Sequence, residues 1–167
     1  MASPIATLDQ IRGAMAAMEI ANLPGLVYAH INTPKVLHTG GYPQTLRWVD
    51  GGNYRWMGKS GGGSIMTPGG RTRNHRIVVM LAVGSLEDQD ATPGGLEDLA
   101  IPWIDAFDSV YTASTRLSGH FTDPTVEALQ VQVLEYSFMD RKLNDTTHWG
   151  PAFLVEAVSN PNVTIHV

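Results

Sequence analysis

Ile77-Val78-Val79-Met80-Leu81-Ala82-Val83 is the longest uninterrupted apolar run in the chain. A run of this length with a β-branched start suits a strand at a central position in a sheet. Before it lies the stretch from Asp50 to Asn74, which carries eight glycines (Gly51, Gly52, Gly58, Gly61, Gly62, Gly63, Gly69 and Gly70). So many glycines raise the entropic cost of ordering, which predicts a long Gly-rich loop or hairpin between strands, flexible over residues 50–74. Loops of this length without structure are usually functional or disordered. The Gly51–Gly70 segment is expected to be mobile in a free subunit and ordered only in an assembly.

After the apolar run, a Gly/Asp/Pro loop extends through Gly95. Leu99, Trp103, Phe107, Val110 and Tyr111 then recur at helical spacing. Pro102 is tolerated in a first helical turn, so the helix is expected to run from Asp98 to Thr115, with Trp103 and Phe107 against the sheet. An earlier helix is marked by Leu8, Ile11, Met15 and Met18, again three and four apart. Thr7 with Gln10 has the form of a capping box, and Pro24-Gly25 ends the run.

Leu26 to Ile31 reads as a first strand, broken by Pro34 and Gly40-Gly41, and Thr45 to Val49 reads as a second. Leu129-Gln130-Val131-Gln132-Val133 alternates apolar and polar residues, as a half-buried strand does. A polar loop from Asp140 to Thr147 precedes a last strand at Phe153 to Val158. Residues 1–167 show no internal repeat and read as one domain. The fold class expected is α+β: an antiparallel or mixed sheet with two main helices packed on one face.

The chain has 167 residues, of which 43% are hydrophobic, enough material for a core. Charged residues are 16%, below the globular norm of about 25%, which leaves neutral surface of the kind packed against other proteins. Eleven Lys and Arg stand against sixteen Asp and Glu, so no domain-wide basic footprint for nucleic acid exists. The absence of cysteine removes disulfides, thiolate nucleophiles and Cys-based zinc sites together. Arg12 is the only early base, and Asp9 and Glu19 interrupt what would be the apolar core of a signal peptide. No stretch approaches the ~18 apolar residues of a membrane span. Assembly in the cytoplasm is therefore expected, and the glycosylation patterns at Asn144 and Asn162 are expected to be idle.

Motifs for chemistry are weak. Gly58-Lys59-Ser60 resembles the end of a phosphate loop, but the first glycine of that motif would fall on Asn53, and more glycine follows instead of a helix. The histidines at 30, 38, 75, 120, 148 and 166 form no His-x-His or His-Glu-x-x-His pair, and they read as isolated surface or edge residues. Asp105 and Asp108 are three apart on the second helix, where solvation accounts for them. Ser64 and Ser114 lack the Gly-x-Ser-x-Gly elbow. No catalytic, cofactor-binding or metal-ligating residue is assigned, and no cofactor is expected. The densest basic cluster is Arg55, Lys59, Arg71, Arg73 and Arg76, with Tyr54 and Trp56 among them. It reads either as an arm that contacts an acidic neighbour or nucleic-acid phosphate, or as charge that keeps a loop solvated.

This layout resembles the tail terminator (tail completion) proteins of long-tailed bacteriophages. The shared features are an opening amphipathic helix ending in Leu23-Pro24-Gly25-Leu26, a strand, a proline-containing connection and the central strand at Ile77 to Val83. One long helix at Asp98 to Thr115 and closing strands at Ala128 to Val133 and Phe153 to Val158 complete the match. It spans nearly the whole chain and rests on element order, with no signature motif, so no residue role carries over. The Asp50–Asn74 loop is longer and richer in glycine than the family pattern. The resemblance implies a virion structural protein without enzymatic activity. It would form a homo-oligomeric ring, usually of six copies, on the head-proximal end of the tail tube. Its partners would be the tail tube protein and a head-completion or neck protein, and DNA would pass through the ring. An acidic balance suits a channel in which DNA slides without sticking. The alternatives are another head–tail joining adaptor or a small metal-dependent enzyme using dispersed histidines and carboxylates.

Overall fold

The computed structural model describes residues 6–50, 55–56, 73–87, 95–126, 128 and 130–159. Its class is α+β, with seven strands in one mixed sheet and two long helices. Helix α1 spans Leu8–Asn22, and α2 spans Gly95–Ala113. The strands are β1 (Tyr28–Ala29), β2 (Gln44–Val49), β3 (Arg55–Trp56), β4 (Arg73–Ala82), β5 (Gly84–Ser85), β6 (Gln130–Leu143) and β7 (Thr146–Ser159). Among the described strands only β1 with β2 is parallel, and the other pairings are antiparallel.

The apolar run does lie in a central strand. β4 pairs with β2 and β3 along one side and with β7 along the other. Because side chains alternate along a strand, Ile77, Val79 and Leu81 face one side of the sheet and Val78, Met80 and Ala82 the other. The first set joins the main core with Ile11, Met15 and Met18 of α1 and with Leu96, Ala100, Phe107 and Tyr111 of α2. Both helices therefore pack on one face of the sheet. On the opposite face Leu46, Met80, Ala82 and Ala152 make a smaller cluster, against which Leu37 and Tyr42 of the β1–β2 connection pack.

Helix α1 begins where its cap predicts. Thr7 accepts from the Gln10 backbone N–H at 3.2 Å, and the Gln10 side chain accepts from the Thr7 N–H at 2.8 Å. The predicted Leu26–Ile31 strand is shorter, only Tyr28–Ala29, although Val27 and His30 still donate to Pro43 and Thr45 across the gap.

Helix α2 starts three residues earlier than expected, at Gly95, so Pro102 lies inside it rather than in its first turn. Phe107 is fully buried as expected. Trp103 is half-buried, its ring resting over Gly25 at the end of α1, and Leu99 points to solvent.

The two closing strands are much longer than the sequence indicates, and the expected polar loop from Asp140 to Thr147 does not exist as a loop. β6 and β7 form one hairpin joined by Asn144-Asp145, with Asn144 at φ 55, a conformation asparagine tolerates better than most residues. Gly150 and Pro151 sit inside β7 without ending it. The β4 ladder stops at Met80↔Ala152 and β5 resumes at Gly84↔Trp149, so Pro151 falls in the gap between two partners. At Gly150 an added Cβ would lie 1.8 Å from the Leu81 carbonyl oxygen. Gly150→Ala is expected to destabilise the fold by about 1–3 kcal/mol through forced separation of β4 and β7. An unchanged midpoint in urea denaturation would show that the strands part freely there.

Candidate assembly interface

The basic cluster is only partly within the described residues. Tyr54, Lys59 and Arg71 lie outside them, as do the phosphate-loop-like residues 58–60 and the Gly-rich segment expected to be mobile. Arg55 and Trp56 form β3, and Arg73 opens β4, with Arg55 opposite Asn74 and Trp56 opposite Arg73. Arg55, Trp56 and Arg73 thus occupy adjacent rungs of the β3–β4 pairing, and the rest of the expected Gly-rich loop or hairpin lies outside the described residues. Arg76 is employed internally: its Nε lies 3.7 Å from Glu156 on the neighbouring strand β7.

Sequence reasoning missed an exposed apolar feature along β6. β6 pairs with β7 alone among the described strands, leaving a 14-residue sheet edge. Val131 and Val133 point into the core, but the register shifts between Val133 and Glu135. The bulge inserts Leu134, and beyond it β6 leaves the cover of the helices. Leu134, Tyr136 and Phe138 are 40%, 51% and 39% exposed. They continue an aromatic row outward from the core. Phe107 stacks on Phe153 at 3.9 Å, Tyr136 lies 6.1 Å from Phe153, and Phe138 stacks on Trp149 at 4.9 Å.

The sheet face opposite the helices, beside the part that Leu37 and Tyr42 cover, has a concavity among the described residues. Trp48, Val78, Met139, Ala152 and Leu154 line a concavity of about 340 Å³, rimmed by Asp50 and Glu135. The Arg141 guanidinium sits 4.2 Å from the Trp48 ring centroid, a cation–π contact that ties β6 to β2 across this face.

Polar groups converge in two places. Within the core, Glu19 of α1 accepts from Arg47 of β2 through Nη1 at 2.9 Å and Nη2 at 2.6 Å, and from Thr45 Oγ1 at 2.7 Å. The Tyr111 hydroxyl of α2 donates to the same carboxylate, and Arg47 Nε donates to the His30 carbonyl at 2.7 Å. Glu19 and Arg47 are fully buried. Burial opposes the Arg47 charge, but the adjoining carboxylate outweighs it and raises the guanidinium pKa. Burial and then the Glu19 charge push the Tyr111 phenol well above its ordinary value, so it stays protonated and donates. Having no access to solvent, this network is a structural pin between two helices and the sheet.

The second place is a concavity of about 300 Å³ lined by His38, Tyr42, Gln44 and His148, among others. Gln44 spends its amide internally. Its Oε1 lies 2.8 Å from His30 Nε2 and accepts from the His38 N–H, while its Nε2 donates to the carbonyls of His38 and Gly41. The Tyr42 hydroxyl lies 2.7 Å from His148 Nδ1. Of the histidines expected at the surface or at an edge, two are buried, His75 at 2% exposure and His148 at 6%. Asp105 and Asp108 are exposed, as solvation of that pair requires. Among the described residues no three His, Asp or Glu side chains are placed to hold a metal ion.

Burial lowers the pKa of both His30 and His148, against the raising effects of Gln44 and Glu87 respectively. The unfolded chain therefore binds these protons more readily than the folded one. Their contribution to stability is complete above the ordinary histidine value of about 6.5 and is lost as pH falls through the lowered folded values. Thermal midpoints are expected to fall between pH 7 and pH 5, and to fall less in His148→Gln. An equal fall in the variant would remove His148 from the account.

No protein-family model matches the chain, and no curated protein matches it either. No helix among the described residues is long and apolar enough to cross a membrane. The described residues present a long sheet edge with exposed aromatic side chains and an apolar concavity on the sheet face opposite the helices.

Proposed function

We propose that this chain is a virion structural protein, a tail terminator that assembles into a homo-oligomeric ring on the head-proximal end of the tail tube. The ring caps the tube protein, presents its other side to a head-completion or neck protein, and lets DNA pass through its centre. The observation that carries the reading is the β6 edge. Among the described strands it pairs with β7 alone; near its start the Val131 N–H donates to the Thr115 carbonyl, and beyond the bulge Leu134, Tyr136 and Phe138 are exposed. Natural sheets blunt long apolar edges unless something pairs with or covers them. The order of elements supports the same reading: an opening helix, the central β4, one long helix and a closing pair of strands, as in the resemblance to tail terminators.

Tails assembled without this protein test the role. Overlong tubes are the expected result. Tails of normal length that fail to join heads would reassign it to a joining adaptor, and normal tails that join heads normally would contradict both.

A further inference from the structure

The direction of the β6 backbone follows from its neighbours. Trp149 of β7 gives its carbonyl to the Val83 N–H, on the side of β4 and β5. The alternate residues His148, Gly150, Ala152 and Leu154 therefore address β6. Opposite them stand Arg141, Met139, Ser137 and Glu135. The residues between, Tyr136, Phe138, Asp140 and Lys142, turn their N–H and C=O groups away from β7, and no described strand pairs with them there.

The side chains along this stretch are self-complementary. Glu135 and Arg141 are six residues apart with Phe138 midway, and both lie on the sheet face opposite the helices. If two copies of β6 pair antiparallel about a two-fold axis at Phe138, Glu135 of each faces Arg141 of the other. Tyr136 then faces Asp140, Ser137 faces Met139, and the two Phe138 residues meet at the axis. Neighbouring registers lose the match. Centred on Ser137 or Met139, the pair sets Glu135 and Arg141 against uncharged residues. Centred on Tyr136 it runs into the register shift between Val133 and Glu135, and centred on Asp140 it sets two carboxylates against each other. Neither Glu135 nor Arg141 has an ion-pair partner among the described residues. Arg141 lies with its guanidinium carbon over the Trp48 ring, and Glu135 is exposed.

We infer that the β6 edge takes a second copy of this chain, edge to edge and antiparallel about Phe138, so that two seven-stranded sheets become one. Backbone bonds at Tyr136, Phe138 and Asp140 hold the pair, and the crossed Glu135–Arg141 contacts fix its register. A two-fold contact closes with two copies and does not extend. The pair therefore goes beyond the ring proposed above: it is the form in which the chain covers its edge away from the tail.

The chain has no cysteine, so a single introduced one reads the register. Opposite Cα atoms in a hydrogen-bonded antiparallel pair lie about 5.5 Å apart, within reach of a disulfide. Mild oxidation of Phe138→Cys is expected to give a covalent dimer. Tyr136→Cys is not, because its counterpart lies four residues along, roughly 13 Å away at ~3.3 Å per residue. Tyr136→Cys mixed with Asp140→Cys should crosslink. In sedimentation equilibrium, Glu135→Arg should raise the dissociation constant of the pair at least about tenfold, since symmetry applies the repulsion twice. Glu135→Arg/Arg141→Glu should restore it, and circular dichroism should show each variant folded. Crosslinking of Tyr136→Cys alone as fast as Phe138→Cys would overturn the pair, as would an unchanged dissociation constant in Glu135→Arg. A wild-type chain that forms rings at tube ends but never a two-copy species would overturn the pair and leave the ring standing.

Discussion

Arg47→Met is expected to destabilise the protein by about 3–5 kcal/mol, because it leaves the Glu19 carboxylate buried without its cation. Glu19 would keep Thr45 and Tyr111 as donors but lose both guanidinium bonds. The loss reflects an orphaned charge and is no measure of what the pair contributes, since taking two ions out of water opposes their attraction. The triple variant Glu19→Leu, Arg47→Met, Tyr111→Phe removes every charged or hydroxyl member that would be stranded except Thr45. It is expected to recover most of the stability. Urea denaturation of both variants checks this. A loss under about 1 kcal/mol for the single variant would mean that water reaches Glu19.

Phe107→Ala is expected to cost about 3–5 kcal/mol as a core truncation. The ring is fully buried, stacks on Phe153 at 3.9 Å and lies 4.8 Å from the Tyr111 ring. Its removal opens a void between α2 and the centre of the sheet and strips Tyr111, hence Glu19, of support. Leu99→Ala on the same helix is the control. Leu99 is 42% exposed, and its truncation should move stability by no more than about 0.5 kcal/mol. Equal effects at the two positions would show that α2 is rotated from its described orientation.

Much of this architecture could be read from local chemistry. A capping box, apolar residues three and four apart, and one long β-branched run mark α1 and β4 without ambiguity, because each signal lies within one element. β6 and β7 were only partly legible, for reasons that lie outside those segments. The bulge at Leu134 shifts the register between Val133 and Glu135 and so breaks the alternation that reveals a strand. Gly150 and Pro151 look like a chain break, yet a close approach by β4 requires the first and a gap between β4 and β5 accommodates the second. Pro102 similarly displaced the expected start of α2.

The Glu19–Arg47 pair was hidden because a lone acid on a helix usually means solvent. Its position four residues after Met15 and eight after Ile11, on the apolar stripe itself, was the signal that it turns inward. Arg47 shares a strand face with Thr45 and points the same way. His75 and His148 escaped for the same reason: only the pairing of distant strands encloses them. The exposed edge residues are the least legible of all, since nothing in the local pattern around Tyr136 and Phe138 marks a sheet edge.

Light scattering on the purified chain, alone and with tail-tube protein, tests the central proposal most directly. The ring account predicts a discrete particle several times the 18.1 kDa protomer mass that also binds tube ends. A strict 18.1 kDa monomer at every concentration, indifferent to tube ends, would contradict it.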